Sequence, residues 1–504
     1  MKFLALFLLI AIATSFSLSW LLNDPPVWPD EAIYADIAAN VLNENRLGTN
    51  LWQGTIPNVE QHAFWYPPAF FYTLSLWFKV TGFSIVSQRT LSVIVGIGFI
   101  LFFYFAGRNI LAGMGKYSKV SDSWLLIFVI GAMMVDFIFQ KANRISRPEI
   151  FVLFWGSLAT LFMSKLWLGK STRLKEYFWL VLSGLCSAMA FLNHTIGAFF
   201  FIFLLTSLFI YNSWRVIKSF KLYLFILSFI LPLVIWLISI FPDIAILKEQ
   251  LFLATVRKNL EEPWLWSELL NQGWLHRLIL ASYLTITFLF FLLSFNRRKE
   301  QLLVSIGLIL SWGFSLYGKM GWYLVFPIPF VYLSLLLFLK RTSARWEEGR
   351  SIGKELFLFA VAVTIIISVL NINVSYISNM KFLEDDEYSY ESFTKEILEK
   401  IPDQKTVFLS AIPDPYFEFK NLKRSNRLYE FPVLQTSKKN YLDVLNNTDY
   451  IIYNGSYDYL VFGNFLQRYI LKNQLRIERV GHANQYEFLI IELKPRDQRD
   501  QLLQ

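Results

Sequence analysis

Trp28-Pro29-Asp30-Glu31-Ala32-Ile33-Tyr34-Ala35-Asp36-Ile37-Ala38-Ala39-Asn40 is the stretch around which the rest of this 504-residue chain can be arranged. It follows an apolar run, residues 3–22, that is long enough to cross a bilayer as a helix. The adjacent carboxylates Asp30 and Glu31 are therefore expected where the chain leaves a membrane. A cleaved signal peptide is the alternative interpretation of the run, but its apolar character continues past the small residues near its middle.

Residues 23–84 are predicted to form a long first outer loop that contains interfacial helices. Ile33, Ile37 and Val41 recur at helical spacing with polar groups opposite, which favours a helix lying in the membrane interface. The segment 46–58 is rich in turn residues, and the paired prolines Pro67 and Pro68 predict an extended or turn conformation.

The composition is that of a polytopic membrane protein, since 55% of the residues are hydrophobic and only 17% are charged. Apolar runs of roughly 20 residues recur, and they predict about eleven transmembrane helices. After residues 3–22 the runs fall near residues 85–107, 124–139, 149–168, 176–192, 195–211, 221–241, 276–295, 301–316, 322–340 and 354–378.

The positive charges support this count. With the N-terminus in the cytoplasm, every loop assigned to the cytoplasmic side carries Lys or Arg, as the positive-inside rule requires. The net charge of +9 is spread over these short loops rather than over one soluble domain, which argues against a nucleic-acid partner. The single cysteine, Cys186, excludes an intramolecular disulfide.

The composition changes near residue 379, where charges become frequent. Strand-like runs at 406–410, 450–453 and 486–493 alternate with helix-like runs at 389–400 and 457–471. We therefore expect a transmembrane domain over residues 1–378 and a soluble α/β domain over residues 379–504 on the extracytoplasmic side.

Asp30 and Glu31 are the first candidates for chemistry. One interpretation is a helix cap, because carboxylates suit the amides at a helix N-terminus. The other is a catalytic site, in which a carboxylate at a membrane surface acts as general base toward a hydroxyl or holds a divalent cation such as Mg or Mn.

Basic residues on the outer side do not follow the topology rule and need another explanation. Lys141, Arg144 and Arg147 lie between the third and fourth predicted spans, and Lys319 lies between the ninth and tenth. They are either solvated loop charges or cations that bind a phosphate, Arg through paired hydrogen bonds and Lys as a point charge.

Histidine is rare in this chain, and His62 and His194 are the two expected near the outer ends of the spans. A lone histidine at a turn most often serves as a hydrogen-bonding residue. With four histidines in all, a His-rich zinc site has little support.

The order of these motifs resembles that of the GT-C glycosyltransferases, and within them the superfamily of protein O-mannosyltransferases and aminoarabinose transferases. The resemblance covers roughly residues 1–340. The motifs that carry it are Asp30-Glu31 with Tyr34 and Ala38, Tyr66-Pro67-Pro68, Arg89, Arg147-Pro148-Glu149, and Lys319 with Tyr323, Pro327 and Pro329.

The resemblance implies an inverting transfer of a sugar from a polyprenyl-phosphate carrier to a lipid, glycan or protein acceptor on the outer face of the membrane. It makes Asp30 the catalytic base, with Glu31 supporting it, and assigns the carrier phosphate to the basic group. The expected phosphate ligands are Arg147, Lys319, Arg144 and Lys141, and the expected pocket residues are Tyr34, His62, Tyr66, His194 and Tyr323.

Trp65, Tyr66 and Ile33 stand where aminoarabinose transferases have Glu, Lys and Arg, which argues for a different hexose or pentose donor. The resemblance requires no cofactor beyond the divalent cation already considered. The compact arrangement of one transmembrane domain and one C-terminal domain favours a location in a bacterial plasma membrane. A transporter or flippase of lipid-linked sugars remains the alternative, although such proteins more often show paired repeats and charges at mid-membrane.

Overall fold

A computed structural model describes residues 2–22, 25–114, 120–168, 172–260, 273–293, 299–318, 321–380, 390–432, 437–458, 461–481 and 487–499. These residues form two compact units. The helical unit comprises Met1–Ser19, Ser92–Pro242 and Leu260–Ile377, and the loop–sheet unit comprises Trp20–Leu91, Asp243–Asn259 and Ser378–Gln504.

The helical unit is built from long apolar helices that follow the hydrophobic runs of the sequence. Their bounds are α1 Lys2–Ser19, α4 Ile85–Gly113 (whose first turns belong to the loop–sheet unit), α5 Asp122–Met134, α6 Phe137–Arg144, α7 Pro148–Trp167, α8 Arg173–Asn193, α9 Ala198–Asn212, α10 Phe220–Ile240, α12 Trp274–Leu293, α13 Lys299–Gly318, α14 Ile328–Glu347 and α15 Ser351–Met380.

Ten helices in the described ranges are long and apolar enough to cross a membrane, and a bent pair raises the number to eleven. The bent pair is α5 and α6, which meet at 68°. Asp136 begins the second helix, since its Oδ1 accepts hydrogen bonds from the amides of Ile138 and Phe139. The chain is an integral membrane protein, and the expected helical architecture is confirmed.

The loop–sheet unit begins with helices drawn from two separate parts of the chain. They are α2 Pro29–Glu44, α3 Ala69–Thr81 and α11 Ile244–Leu260. Pro29 at the first position and Glu31 at the third suit a helix start, and Asn45 ends α2 in the left-handed region with φ 52°. Of the two conformations predicted for the paired prolines, Pro68 adopts a bend rather than an extended backbone, with φ −84° and ψ −17°, and it leads directly into α3.

The remainder of this unit is the C-terminal α/β domain. It contains α16 Tyr390–Lys400, β1 Thr406–Ser410, α17 Tyr416–Asn421, β2 Arg427–Glu430, α18 Lys438–Asn446, β3 Tyr450–Tyr453, α19 Val461–Asn473, β4 Gln474–Val480 and β5 Phe488–Leu493.

The strands of this domain form one sheet in the order β2-β1-β3-β5-β4. The pairs β1–β2 and β1–β3 are parallel, whereas β5 is antiparallel to both β3 and β4. The predicted α/β class is confirmed, and the bounds of β1 and β3 agree with the strand-like runs. Parallel strands need crossover helices, which α17, α18 and their flanking segments supply.

The polar side of α2 is buried, contrary to the simple picture of an amphipathic surface helix. Asp36 and Asn40 are 2% and 6% exposed. The helix therefore packs on both faces. The segment 47–50 covers its polar side, where Asn40 Nδ2 donates a hydrogen bond to the carbonyl oxygen of Gly48 at 2.8 Å. Gly48 permits this fold, since a Cβ there would lie 2.2 Å from the carbonyl oxygen of Glu60.

Candidate active site

Glu31 forms a buried ion pair with Arg89 in the loop–sheet unit. The Nη2 and Nε atoms of Arg89 donate to the two carboxylate oxygens of Glu31 at 2.6 and 2.9 Å, and both side chains are 0% exposed. Glu31 Oε2 also accepts a hydrogen bond from the amide of Trp28 at 3.0 Å. Glu31 is thus a cap and an ion-pair partner, as one sequence interpretation proposed for these carboxylates.

Arg89 also fixes the chain that enters α2. Its Nη1 donates to the carbonyl oxygens of Leu21 and Pro25, and its Nη2 donates to that of Pro26. A guanidinium offers five N–H donors in a rigid plane, so one side chain can satisfy a carboxylate and several carbonyls together. The resulting network sets the start of α2.

Asp30 occupies the helical position directly before Glu31 and is partly exposed. Arg89 holds the side chain of Glu31, and the backbone of Glu31 is bonded at both groups, since its amide donates to the Trp28 carbonyl at 2.9 Å and its carbonyl accepts from Gln88 Nε2 at 3.2 Å. The backbone that carries the Asp30 carboxylate is therefore fixed. The carboxyl group lies in the first turn of α2, and it is partly exposed. A carboxylate on a fixed backbone that solvent and ligands can reach is suited to accept a proton from a hydroxyl.

Tyr34 and Tyr66 meet edge to face, with ring centroids 5.6 Å apart and an interplanar angle of 81°. Tyr34 lies one turn after Asp30 and is 2% exposed, while Tyr66 is partly exposed. The two expected pocket residues are therefore neighbours, with Tyr66 the more accessible.

His62 lies between Phe64 and Asp243. Its ring stacks on Phe64 at 4.9 Å, and its Nε2 is 3.7 Å from Asp243 Oδ2. Gln250 of α11 anchors the same loop, because its amide accepts from the Phe64 amide at 2.8 Å and donates to the His62 carbonyl at 2.7 Å. His62 thus belongs to a set of contacts that fixes the loop on α11.

The basic candidates lie in the helical unit. Arg147, 2% exposed, pairs with Glu149, with Nη2 3.0 Å from Oε1 and Nε 3.2 Å from the same oxygen. Arg144 is 1% exposed, and its Nε donates to the carbonyl of Gln140 at 3.3 Å. These arginines are buried, so solvation in a loop does not explain them.

Trp322 brings two of these cations to one aromatic ring. Lys141 Nζ lies 4.7 Å from the ring centroid and Arg147 Cζ lies 5.2 Å from it. The π-electron cloud of the ring attracts each cation, so one aromatic side chain contacts both. None of the sequence motifs includes Trp322, whereas Glu149 belongs to the Arg147-Pro148-Glu149 motif.

His194 caps the short helix Thr195–Gly197. Its Nδ1 accepts a hydrogen bond from the Ile196 amide at 3.1 Å, and its Nε2 lies 3.4 Å from the Tyr323 hydroxyl. His194 and Tyr323 are 3% and 2% exposed. The structure thus brings these two pocket candidates together, with His194 in the hydrogen-bonding role that the sequence favoured.

Lys319 and the acidic-aromatic segment 261–272 lie outside the described residues. Within the described ranges, no three His, Cys, Asp or Glu side chains gather closely enough to hold a metal ion. Both oxygens of Glu31 are already engaged by Arg89. A Mg or Mn ion here stays a prediction, and no step proposed below depends on it.

At the level of amino-acid sequence, the comparison with known proteins gives a partial match and no family. No family model matches the chain. It is 29% identical over 189 residues to an uncharacterized protein of Aquifex aeolicus (strain VF5), a match that covers 37% of this chain and 34% of that protein. The match therefore spans about a third of the length of that curated relative.

The fold, in contrast, is similar to solved structures over almost the whole chain. ArnT from Cupriavidus metallidurans bound to undecaprenyl phosphate superposes with a TM-score of 0.58 at 13% identity, covering 97% of this chain and 98% of that one. The protein has the GT-C fold. Two further GT-C structures extend the comparison.

The mycobacterial arabinofuranosyltransferase AftD gives a TM-score of 0.52 at 12% identity, over 97% of this chain and 40% of AftD. The Archaeoglobus fulgidus oligosaccharyltransferase AglB, in complex with an inhibitory peptide and a dolichol-phosphate, gives 0.51 at 11% identity, over 95% and 74%. At these identities the likeness is one of fold, and it confirms the GT-C architecture that the sequence motifs implied.

Proposed function

We propose that this GT-C protein is a membrane glycosyltransferase that moves a hexose or pentose from a polyprenyl-phosphate donor to an acceptor hydroxyl or amine. The observation that carries the proposal is the GT-C fold together with Asp30 on a backbone fixed by the buried Glu31–Arg89 pair. ArnT was solved with undecaprenyl phosphate and AglB with a dolichol-phosphate, which supports a lipid-linked donor.

The proposed reaction is a single displacement at the anomeric carbon. Asp30 takes the proton of the acceptor hydroxyl or amine, whose oxygen or nitrogen then forms the new glycosidic bond. The bond between the anomeric carbon and the phosphate oxygen breaks, and polyprenyl phosphate leaves with the electron pair. Cations near the departing phosphate oxygen stabilise the charge that develops there.

Lys141 and Arg147 are the described residues proposed to serve the phosphate. Both contact the Trp322 ring, and a phosphate group is the kind of anion that Lys and Arg bind through charged hydrogen bonds. Arg144 and Lys319 are proposed to add to this group. Tyr34, Tyr66, His62, His194 and Tyr323 are proposed to contact the sugar or acceptor.

Asp30→Asn is the variant that tests the base, because it keeps the shape of the side chain and removes its basicity. Full-length protein in nanodiscs would be given a panel of polyprenyl-phosphate hexoses and pentoses, and released polyprenyl phosphate would be measured by mass spectrometry. We expect a rate loss of roughly 10²- to 10⁴-fold, the usual contribution of a general base.

Glu44→Gln is the matched control, since Glu44 is a carboxylate on the same helix that is 52% exposed. It is expected to retain the wild-type rate. Full turnover by Asp30→Asn would remove Asp30 from the proposed reaction.

A flippase of lipid-linked sugars is the second candidate function, since it would share the spans and the edge cations. It predicts that a fluorescent polyprenyl-phosphate sugar crosses liposome membranes containing the protein while the sugar–phosphate bond stays intact. Transfer without transbilayer movement supports the glycosyltransferase, and movement without transfer supports the flippase.

The proposed orientation places the N-terminus in the cytoplasm and the C-terminal domain outside a bacterial plasma membrane, where the acceptor is a lipid, glycan or protein. With Cys186 changed to serine, the chain has no cysteine, so single cysteines can report sidedness. Lys439→Cys in the C-terminal domain should react with an impermeant maleimide on intact cells, and Lys175→Cys should react only after permeabilisation. The reverse pattern contradicts the proposed orientation.

A further inference from the structure

The C-terminal domain contacts both ends of the segment that carries Asp30. The amide of Asp414 donates to the Val27 carbonyl at 2.9 Å, and the amide of Glu430 donates to the Leu51 carbonyl at 2.8 Å. Trp52 Nε1 donates to the Phe431 carbonyl at 3.3 Å. The loop therefore contacts the edge strand β2, and α2 lies in sequence between these two attachments.

Two buried carboxyl groups lie at these attachments. Asp414 and Glu430 are both 0% exposed, and each acts on the pKa of the other as a hydrogen-bond partner. Apart from each other, Asp414 Oδ2 and Glu430 Oε2 have no hydrogen-bond partner among the described residues. Asp414 Oδ1 also accepts from the Tyr416 amide at 2.8 Å, and Glu430 Oε1 accepts from the Phe431 amide at 3.2 Å. A hydrogen bond between two carboxyl groups needs a proton on one of them, so this pair holds at least one proton while it stays closed.

The groups that face the pair add negative charge to its surroundings. Glu31 raises the pKa of Asp414, and Asp30 raises that of Glu430, although burial is the larger cause for both. Tyr390 donates its hydroxyl to the Asp414 carbonyl at 2.6 Å, and Arg89 is the cation that acts on Tyr390. The pKa of Asp414 therefore depends in part on the charge of Glu31, the residue that is paired with Arg89.

Burial raises the pKa of Asp414 to about 6 and that of Glu430 well above its usual value. Because both pKa values are higher in the folded state than in the unfolded chain, the pair favours folding most at low pH. For Asp414 this contribution is lost as the pH rises from its usual pKa of 3.8 to about 6, and for Glu430 it is lost at higher pH.

We propose that Asp414 and Glu430 form a proton-holding latch, through which the C-terminal domain positions the helix that bears Asp30. Val27 and Leu51 accept hydrogen bonds from the backbone amides of the two carboxyl-bearing residues, so a backbone shift that follows ionisation of the buried pair reaches both ends of the 27–51 segment. Asp414 and Glu430 are positioning residues in this proposal. The importance of Asp30 rests on the proposed function, whereas the latch does not.

Hydrogen exchange of the full-length protein in nanodiscs tests the latch without any substrate. The measured quantity is the protection factor of peptides covering residues 27–40 and 410–431 at pH 5, 7 and 9, corrected for the intrinsic pH dependence of exchange. For the wild type we expect protection in 27–40 to fall at least tenfold between pH 5 and pH 9. In Glu430→Gln the side-chain amide still donates a hydrogen bond and does not titrate. The protection of residues 27–40 in this variant should therefore fall much less between pH 5 and pH 9.

Glu430→Ala should lose protection in 27–40 at pH 7, because Asp414 is then buried without its partner. Asp443→Asn, an exposed carboxylate in the same domain, should behave as the wild type. The latch is overturned if Glu430→Ala keeps wild-type protection in 27–40, or if wild type and Glu430→Gln show the same pH profile. These outcomes are independent of whether Asp30→Asn retains transfer, so a failure of the latch and a failure of the proposed function are distinguishable.

Discussion

The hydroxyl of Tyr416 donates a hydrogen bond to Asp36 Oδ1 at 2.7 Å, joining two residues that are 380 positions apart in the chain. The other carboxylate oxygen of Asp36 accepts from the Thr49 hydroxyl at 2.7 Å and from the Asn50 amide at 2.9 Å. One buried carboxylate therefore connects α2, the loop that covers it, and α17 of the C-terminal domain. Lys420 Nζ, 3.8 Å away, is the nearby cation.

Tyr416→Phe should destabilise the attachment of the C-terminal domain by about 1–3 kcal/mol, because a buried charged acceptor loses one donor. The ring itself keeps its contacts with Phe83 and Phe417. Urea-dependent proteolysis of the C-terminal domain in the intact protein measures the change.

Tyr441→Phe is the control for this variant. Tyr441 is equally buried, but in the described part of the chain its hydroxyl has no hydrogen-bond partner. Its removal should be neutral or slightly stabilising. Equal losses in the two variants would mean that the Asp36 bond contributes nothing beyond packing.

The sequence predicts the α-helical spans well because each depends on a local property, a run of apolar residues. The strands β1 and β3 are equally readable, since short β-branched and aromatic runs mark them. The broken span at Asp136 is harder to recognise. Its two halves read as one apolar run, and the break becomes visible only when Asp136 caps the second helix.

The site is less predictable because its contacts are distant in sequence. Asp30 and Glu31 are adjacent and chemically alike, yet only Glu31 is taken by Arg89, 58 residues away. The pairing of Asp414 with Glu430, and of Asp36 with Tyr416, leaves no periodic signal at all. A hint in the sequence is Asp36 itself, because a carboxylate in an Ala- and Ile-rich helix with no basic residue one turn away needs an explanation.

The Glu31–Arg89 pair should show strong coupling in a double-mutant cycle of Arg89→Met and Glu31→Gln. Arg89→Met leaves a buried carboxylate and frees three backbone carbonyls, so it should cost about 3–5 kcal/mol. The double variant should recover part of this loss, since no charge stays buried, but the carbonyls remain unsatisfied. Apparent unfolding temperatures in detergent and urea-dependent proteolysis provide the measurements.

The exposed pair of Arg46 and Glu44, 2.6 Å apart, is the comparison for that cycle. Its coupling energy should be about 0–1 kcal/mol, because solvent screens it. A coupling between Glu31 and Arg89 as small as this would contradict their role as the frame of α2.

Gly307 and Gly313 of α13 give a matched test of packing in the helical unit. A Cβ at Gly307 would lie 2.2 Å from the ring of Phe330, whereas one at Gly313 would meet nothing within 4 Å. Gly307→Ala should therefore cost about 1–3 kcal/mol through overpacking. Gly313→Ala should be neutral or stabilise the helix by up to about 1 kcal/mol, the difference in helix propensity.

The apparent melting temperatures of Gly307→Ala and Gly313→Ala, measured in the same detergent, test this prediction. A lower melting temperature for Gly307→Ala alone supports the close approach of α13 and Phe330. Equal temperatures for both variants would place Phe330 further from α13 than the structure does.

Lys141→Met is the cleanest test of the proposed phosphate group. Arg147→Ala would also strand the buried Glu149 carboxylate, so a loss of affinity there would be mixed with a loss of stability. Lys141 is exposed, and its removal leaves the Arg147–Glu149 pair intact. If Lys141 makes a charged hydrogen bond to the donor phosphate, donor affinity should fall by about 1–3 kcal/mol, or roughly 5- to 150-fold.

Trp322→Leu should also weaken donor binding, because the ring that contacts both Lys141 and Arg147 is lost. Binding of polyprenyl phosphate without a sugar, measured by native mass spectrometry, separates phosphate recognition from recognition of the sugar. Lys175→Met removes an exposed lysine from the first turn of α8 and should leave binding unchanged. Wild-type affinity in both Lys141→Met and Trp322→Leu would mean that this group does not bind the donor phosphate, and the carrier phosphate would need other ligands.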